Sequence, residues 1–178
     1  AGDEPIFRLL PYRSLKVGVV TTGSEVAHGR IKDTFTPVLA AKLRAFGLSV
    51  NEHRISDDAL EHTQAAIEEL LDLGMDMVLC TGGMSVDPDD RTPAAIRAAG
   101  AEVVTYGAPV LPGAMFLLAY AERDGRTVPV LGLPGCVMYS AATIFDIVLP
   151  RLLAGERVTR REIRRLGLGG LCLACETC

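Results

Sequence analysis

The fold is decided by residues 76–90, which read DMVLCTGGMSVDPDD. A short apolar run at residues 76–80 is followed at once by two glycines, a serine and several aspartates. Short apolar runs bounded by glycine are typical of a strand buried in a parallel sheet. The glycine-rich loop would leave the carboxyl end of that strand, which is where open α/β sheets bind their ligands. We therefore predict an α/β domain with its site on residues 81–90.

Strand-like and helix-like segments alternate on both sides of this stretch. Such an order predicts a mostly parallel sheet covered by helices on both faces. A short helix should begin at Thr92 and Pro93, with the threonine as its cap. Strand patterns cover residues 15–22, 48–55, 76–80 and 101–106, and helix patterns cover residues 34–46, 56–74 and 92–100.

The pattern changes after residue 106. Two strand-like runs, residues 116–122 and 127–131, flank Arg123-Asp124-Gly125-Arg126, a turn sequence that favours a local antiparallel hairpin. The segment after residue 135 is almost wholly apolar, and we interpret it as one buried helix that reaches Leu153.

An arginine-rich stretch follows residue 155. Thr159 and Glu162 have the spacing of a capping box, which predicts a short helix there. We interpret this helix as a solvated surface element, with docking of an acidic partner as the alternative. The three histidines, His28, His53 and His62, are widely spaced, so we expect each to lie at the surface.

Composition narrows the classes of function. The formal charge of −4 leaves no broad basic face for a nucleic-acid backbone. No apolar run reaches the roughly 18 to 20 residues that span a bilayer, and residues 1–13 lack the apolar centre of a signal peptide. We therefore expect a cytoplasmic protein. Its 178 residues suit one α/β domain at residues 15–155. We expect residues 1–14 to be a leader or linker from an upstream region, and residues 156–178 to form an arginine-rich helix and a cysteine-rich tail.

Three loops of similar composition should meet at the carboxyl edge of the sheet. Their glycines expose bare backbone N–H groups and their hydroxyls add donors, a combination that favours an anionic ligand. Neither a dinucleotide fingerprint nor a Walker lysine is present, which argues against a standard nucleotide-binding P-loop. The predicted binding residues are Thr22, Gly23, Ser24, Glu25, Thr81, Gly82, Gly83, Met84, Ser85, Pro134, Gly135 and Cys136.

Aspartates accompany these loops. Asp33 precedes the first long helix, and Asp90 closes the segment that begins at Thr81. Carboxylates repel an anionic ligand unless a cation lies between them, and Mg²⁺ is the natural bridge. The alternative is that Asp33 and Asp90 only cap the helices that follow them.

These segments resemble, in the same order, the motifs of the molybdenum-cofactor biosynthesis domain family. That family includes the molybdopterin adenylyltransferases, the molybdopterin molybdenumtransferases and gephyrin. Thr81-Gly82-Gly83-x-Ser85-Val86 with Asp90 resembles its central motif, and Thr22-Gly23-Ser24-Glu25-Val26 resembles its first loop. Gly29-x-Ile31-x-Asp33 is similar to a segment in which an aspartate approaches the ligand. Gly132-Leu133-Pro134-Gly135 resembles the C-terminal segment of the molybdenumtransferase and gephyrin type.

The resemblance implies a three-layer α/β/α fold that binds molybdopterin, a pterin dithiolene carrying a phosphate. It implies that Asp33 and Asp90 are catalytic and lie nearest to Mg²⁺, either in adenylyl transfer with ATP as co-substrate or in molybdate transfer. It also implies that Pro112 and Gly113 contact the cofactor. Relatives by this resemblance form homo-oligomers, either trimers or dimers. A non-catalytic module that delivers or senses the cofactor is the alternative function.

The chain also departs from the family's pattern. In the molybdenumtransferases two lysines flank a Pro-Gly pair, whereas Leu111 and Met115 stand there in this sequence. Each lost charge-assisted contact would cost about 1.5–3 kcal/mol of anion binding. Cys136 replaces an asparagine, and we interpret it as a small buried residue, with a soft contact of its thiol to the ligand as the alternative.

Three cysteines are evenly spaced at the end of the sequence. Cys172, Cys175 and Cys178 form a C-x-x-C-x-x-C pattern. Zinc and iron–sulfur sites take four ligands, so a fourth would come from beyond residue 178 or from another subunit. We predict a zinc or iron–sulfur site in the complete protein.

Overall fold

Six strands form one sheet in the computed structural model, which describes residues 7–87 and 89–168. The strand order across the sheet is β2-β1-β3-β6-β5-β4. In chain order the strands are β1 (Val17–Thr22), β2 (Val50–Ser56), β3 (Met77–Thr81), β4 (Glu102–Tyr106), β5 (Leu117–Arg123) and β6 (Arg126–Leu133).

The sheet is mostly parallel, as the sequence predicts. Strands β2, β1, β3 and β6 run in the same direction, and β5 pairs antiparallel with both β6 and β4. Every residue of β1 and β3 is buried, because both strands lie inside the sheet with helices on either face. The predicted hairpin is confirmed, with Asp124 in its turn at a φ of 51°.

Seven helices flank this sheet in the described part of the chain. They are α1 (Ser24–Ala27), α2 (Phe35–Arg44), α3 (Leu60–Asp72), α4 (Thr92–Ala98), α5 (Cys136–Tyr139), α6 (Ile144–Leu153) and α7 (Arg160–Arg165). Helices α2 and α6 pack on one face of the sheet, and α3 and α4 pack on the other. The predicted three-layer α/β/α architecture is therefore confirmed.

Each face has its own apolar core. Leu39 of α2 and Phe145 of α6 are fully buried in one cluster, and Ile67 of α3 and Ile96 of α4 are fully buried in the other. Truncating a buried leucine such as Leu39 to alanine costs about 2–5 kcal/mol. Both layers are thus needed to hold the sheet whose carboxyl edge carries the predicted loops.

The prediction of one long apolar helix after residue 135 is wrong. The chain forms α5, leaves the helical conformation at Ser140 and starts again as α6. Thr143 caps α6 in a capping box with Asp146, which is a stronger start signal than the continuous apolar pattern. Lys42 of α2 fills the break, because its ammonium donates to Ala141 O at 2.8 Å and to Ser140 O at 3.4 Å.

The arginine-rich stretch packs on the domain. Val158 and Ile163 are buried in the same core cluster as α2 and α6, and the hydroxyl of Tyr120 accepts a hydrogen bond from the Val158 N–H at 2.8 Å. The predicted capping box is confirmed, because Thr159 and Glu162 bond reciprocally at the start of α7. In the part of the chain that the structure describes, no helix is long and apolar enough to cross a membrane.

Candidate functional site

A cavity of about 330 Å³ lies at the carboxyl ends of β3 and β6. The two loops that leave these strands, and the first turn of α2, supply its walls. Two loops that the sequence analysis singled out therefore meet here. The lining residues are Phe35, Gly82, Gly83, Met84, Ser85, Asp90, Gly135 and Met138.

Hydrogen bonds hold the loop after β3 against the end of β1. The hydroxyl of Thr22 donates to the carbonyl of Thr81 at 3.0 Å, and the hydroxyl of Thr92 donates to the carbonyl of Gly82 at 3.0 Å. Gly82 has a φ of 81°, and a Cβ there would lie 2.3 Å from the carbonyl oxygen of Thr22. Only glycine fits this approach. Thr22 therefore holds the loop in place, and its hydroxyl is already engaged.

Asp90 closes the loop that begins at Ser85. Its Oδ2 atom accepts a hydrogen bond from the Ser85 N–H at 2.5 Å, and the Asp87 N–H donates to the Ser85 hydroxyl at 3.2 Å. Helix α4 has no side-chain cap, so the interpretations that Asp90 or Thr92 caps it are wrong. Asp90 instead lines the cavity and fixes the shape of its rim.

Tyr106 supports the same loop from the end of β4. Its hydroxyl donates to the carbonyl of Ser85 at 3.0 Å. Burial raises the pKa of this phenol, and the nearby carboxylate of Asp90 raises it further. Sequence reasoning missed Tyr106 because it belongs to an edge strand 21 residues further along the chain.

Asp33 caps α2, which was one of its two predicted roles. Its Oδ1 atom accepts hydrogen bonds from the N–H groups of Phe35 at 2.8 Å and Thr36 at 3.1 Å. Its Oδ2 atom accepts from the hydroxyls of Thr36 and Thr21. Burial opposes ionisation of this carboxyl, but the hydrogen bonds outweigh it and lower its pKa.

His53 also belongs to this cluster. Its side chain is 30% exposed, so it lies at the surface as expected, but its ring contacts neighbouring side chains. Its Nε2 atom lies 3.0 Å from the Thr21 hydroxyl and 3.4 Å from Oδ2 of Asp33. His53 lies on β2 beside β1, where strand pairing brings it to the start of α2. Spacing along the sequence carries no signal of that contact, because it depends on the sheet.

The residues present do not fit a magnesium ion shared by Asp33 and Asp90. Both carboxylate oxygens of Asp33 already accept two hydrogen bonds each, and Asp33 is not among the residues that line the cavity. Within residues 7–87 and 89–168, no three histidine, cysteine or acidic side chains cluster in a way that could hold a metal. Cys172, Cys175 and Cys178 lie outside the described residues, so the zinc or iron–sulfur site stays a prediction.

Several other predicted binding residues serve the loops rather than the cavity wall. The Gly23 N–H donates to the carbonyl of Ser56 at 3.0 Å, and the Ser24 N–H donates to the carboxylate of Asp58 at 2.9 Å. These bonds turn Gly23, Ser24 and the exposed Glu25 towards the end of β2. Gly23, Ser24 and Glu25 are not among the residues that line the cavity.

The remaining predicted residues are mostly buried supports. Met84 is only 4% exposed and its side chain packs over Gly132, so it fills the space beneath its loop. Gly113 packs against Ile144, and the carbonyl of Pro112 accepts the Ile144 N–H at 3.2 Å, at the start of α6.

The segment after β6 contributes one exposed position to the cavity. Pro134 is buried and its carbonyl accepts the Val137 N–H at 3.0 Å, whereas Gly135 is exposed. Cys136 is partly buried, and burial raises the pKa of its thiol. The thiol is therefore held in its neutral form. The sequence predicts a small buried residue at this position, and the structure leaves Cys136 only partly buried.

The cavity contains little charge of its own. Among its eight lining residues Asp90 is the only ionisable one, and Leu111, which stands at a lysine position of the molybdenumtransferases, is 61% exposed. Anion binding would therefore depend on backbone N–H groups of the glycine loop. Phe35 and Met138 supply apolar walls.

The fold is a three-layer α/β/α domain with a cavity at the carboxyl edge of its sheet. The sequence profile of the family described as "Probable molybdopterin binding domain" matches residues 18–154. The chain belongs to this family, and the resemblance found in its motifs is confirmed.

Known relatives agree with this assignment. The chain is 28% identical over 172 residues to a molybdopterin molybdenumtransferase of Synechococcus elongatus. The aligned region covers 92% of this chain and 40% of that protein. It is 33% identical over 79 residues to a CinA-like protein of Mycolicibacterium gilvum, covering 44% of this chain and 19% of that protein. The chain thus spans less than half the length of these curated relatives.

Solved structures confirm the fold. The tungsten cofactor synthesizing protein MoaB from Pyrococcus furiosus superposes with a TM-score of 0.64 at 19% identity, covering 83% of this chain and 98% of that one. MoaB from Thermus thermophilus, described as a molybdopterin biosynthesis enzyme, gives a TM-score of 0.61 at 20% identity, covering 80% and 98%. At these identities the likeness shows the shared architecture.

Proposed function

We propose that this chain binds molybdopterin in the cavity between Gly82 and Gly135 and serves molybdenum-cofactor biosynthesis or handling. One observation carries the proposal. Two loops with the family's motifs, separated by some fifty residues of sequence, line a single cavity of about 330 Å³. That volume suits a small ligand.

The cavity offers suitable contacts to both parts of molybdopterin, the pterin ring and the phosphate. Phe35 and Met138 offer apolar surface to a flat pterin ring. Gly82 and Gly83 have positive φ values, 81° and 54°, and lack side chains, so the backbone of their loop can approach a phosphate closely. Ser85 adds a hydroxyl at the rim.

Two forms of the function remain to be separated. A transferase would use MgATP or molybdate, with Asp90 nearest to the reacting group. A non-catalytic module would bind the cofactor for delivery or sensing. The saturated hydrogen bonding of Asp33 and the uncharged Leu111 and Met115 favour the module.

A titration separates these forms. Molybdopterin is added to the purified chain alone, with MgATP and with molybdate, and both binding and product are followed. Asp90→Asn tests the carboxylate, and Asp124→Asn in the exposed β5–β6 turn is the matched control. Binding without product supports the module, and product that Asp90→Asn abolishes supports the transferase. Absence of binding under all three conditions contradicts the proposal.

A further inference from the structure

Five arginines border two adjoining grooves away from the cofactor cavity. The first groove has a volume of about 470 Å³ and lies between α4, the end of β4 and α7. Its cationic lining consists of Arg97, Arg160 and Arg164, and we call it the arginine groove. The second runs along the outside of α7, where Arg161 and Arg165 join Arg160 and Arg164.

These arginines lack partners of opposite charge within the described residues. None of the five guanidinium groups lies within 4.0 Å of a described carboxylate, whereas Arg54, Arg123 and Arg151 are all paired. Such a concentration of positive charge stands out in a chain whose formal charge is −4. Like charges this close repel one another, and an anion between them would relieve the repulsion.

Two of the three guanidinium groups of the arginine groove are held in place by the main chain. Arg160 Nε donates to the carbonyl of Val104 at 2.7 Å, and Arg97 Nη1 donates to the carbonyl of Pro93 at 3.3 Å. Their remaining N–H groups have no acceptor among the described residues. An anchored guanidinium with free N–H groups is suited to the oxygens of a phosphate group.

We propose that the arginine groove binds a small compound carrying a diphosphate group. Three cations around one concave space match two adjacent phosphates better than a single one. The groove has the volume of a small-molecule site, whereas an acidic polypeptide would lie along the outer row of α7 and engage Arg161 and Arg165 as well. For the arginine groove, we therefore replace the acidic partner suggested by the sequence with a small anion.

The arginine groove is separate from the cofactor cavity, but the two are connected through Tyr106. Tyr106 lines the arginine groove, and its hydroxyl holds the carbonyl of Ser85 in the loop that rims the cavity. The proposal does not depend on molybdopterin binding, because the two sites share no lining residue.

Calorimetric titration of the full chain with inorganic pyrophosphate, at fixed ionic strength, tests the site. The variant Arg160→Gln/Arg164→Gln removes two charges from the arginine groove. The matched control Arg161→Gln/Arg165→Gln removes two charges from the same helix but none from the groove. Thermal melting of each variant shows whether it is folded, and Arg97→Gln on α4 tests the opposite wall without altering α7.

We expect pyrophosphate to bind the wild type roughly tenfold more tightly than orthophosphate, since more charge-assisted contacts form. The groove variants Arg160→Gln/Arg164→Gln and Arg97→Gln should each weaken binding by on the order of tenfold, and the control should change it by about twofold at most. Equal losses in both double variants would overturn the proposal, because charge alone would then explain binding. No detectable binding of pyrophosphate, or tighter binding of hexaglutamate than of pyrophosphate, would also overturn it.

Discussion

The ammonium nitrogen of Lys42 lies 2.8 Å from Oδ1 of Asp146, and the same nitrogen donates to the carbonyl of Ala141 at 2.8 Å. The pair joins α2 to the break between α5 and α6. Asp146 in turn accepts the N–H and the hydroxyl of Thr143, which caps α6. Helix α5 carries Met138, which lines the cavity, so this contact positions one wall of the candidate site.

Replacing Lys42 with methionine should destabilise the protein by about 1–3 kcal/mol, because the two side chains are only 13% and 25% exposed and Asp146 would lose its charged partner. Urea denaturation measures this loss. Lys16→Met is the matched control, since Lys16 is exposed and its hydrogen bonds, to Asp76 and Met77, are made by its backbone. Equal stability of the two variants would show that the Lys42–Asp146 pair does not stabilise the segment between α5 and α6.

The close approach of Gly82 to Thr22 predicts a second stability difference. Gly82→Ala places a Cβ 2.3 Å from the Thr22 carbonyl oxygen, so the two loops must separate. Gly47→Ala is the control, because Gly47 has a similar positive φ of 73° but open space around it. We expect Gly47→Ala to cost about 1–2 kcal/mol and Gly82→Ala about 1–3 kcal/mol more in the free energy of unfolding. Equal costs for the two variants would mean that the loops after β1 and β3 can separate without loss of stability.

Asp33 should make stability depend on pH in the acid range. Its pKa in the folded protein lies below the ordinary value of 3.8, because its hydrogen bonds outweigh the effect of burial. Its carboxylate therefore stabilises the fold above pH 3.8, and this contribution is lost as the pH falls through the lower, folded-state value. The stability gap between wild type and Asp33→Asn should be full at neutral pH and shrink on acidification.

Chemical denaturation at a series of pH values measures that gap. Asp124→Asn in the exposed β5–β6 turn is the comparison variant, because it makes the same chemical change away from α2. A gap for Asp33→Asn that widens towards low pH would show that the carboxylate does not stabilise α2.

Much of the fold follows from local patterns. The apolar runs at β1 and β3, the turn sequence around Asp124 and the capping box at Thr159 each act within a few residues, and the structure has all of them. The break after α5 also had a local signal, the Thr143 and Asp146 spacing, but the continuous apolar character of the segment outweighed it.

The contacts that shape the site were less predictable. Lys42 reaches across 104 residues of sequence to Asp146, and His53 meets Asp33 only because β2 pairs with β1. Such contacts depend on the packed sheet, and a single sequence carries no periodicity that reveals them. Glycine loops were found because close backbone approach demands glycine, whereas their polar supports can be of many types.

Filling the cavity from Gly135 tests the central claim most directly. Gly135 has an ordinary helical backbone conformation, and a Cβ added there would meet no atom within 4 Å, so a side chain can leave the backbone at this position without strain. Molybdopterin is titrated, by its pterin fluorescence, into the wild type, Gly135→Ala, Gly135→Phe and the control Ala98→Phe, which introduces the same side chain at an exposed position on α4. We expect Gly135→Phe to melt like the wild type and to bind at least about tenfold more weakly, a loss of about 1.4 kcal/mol or more. Gly135→Ala and Ala98→Phe should bind as the wild type does. Undiminished binding by folded Gly135→Phe would contradict the account, because the ligand would then occupy another part of the molecule.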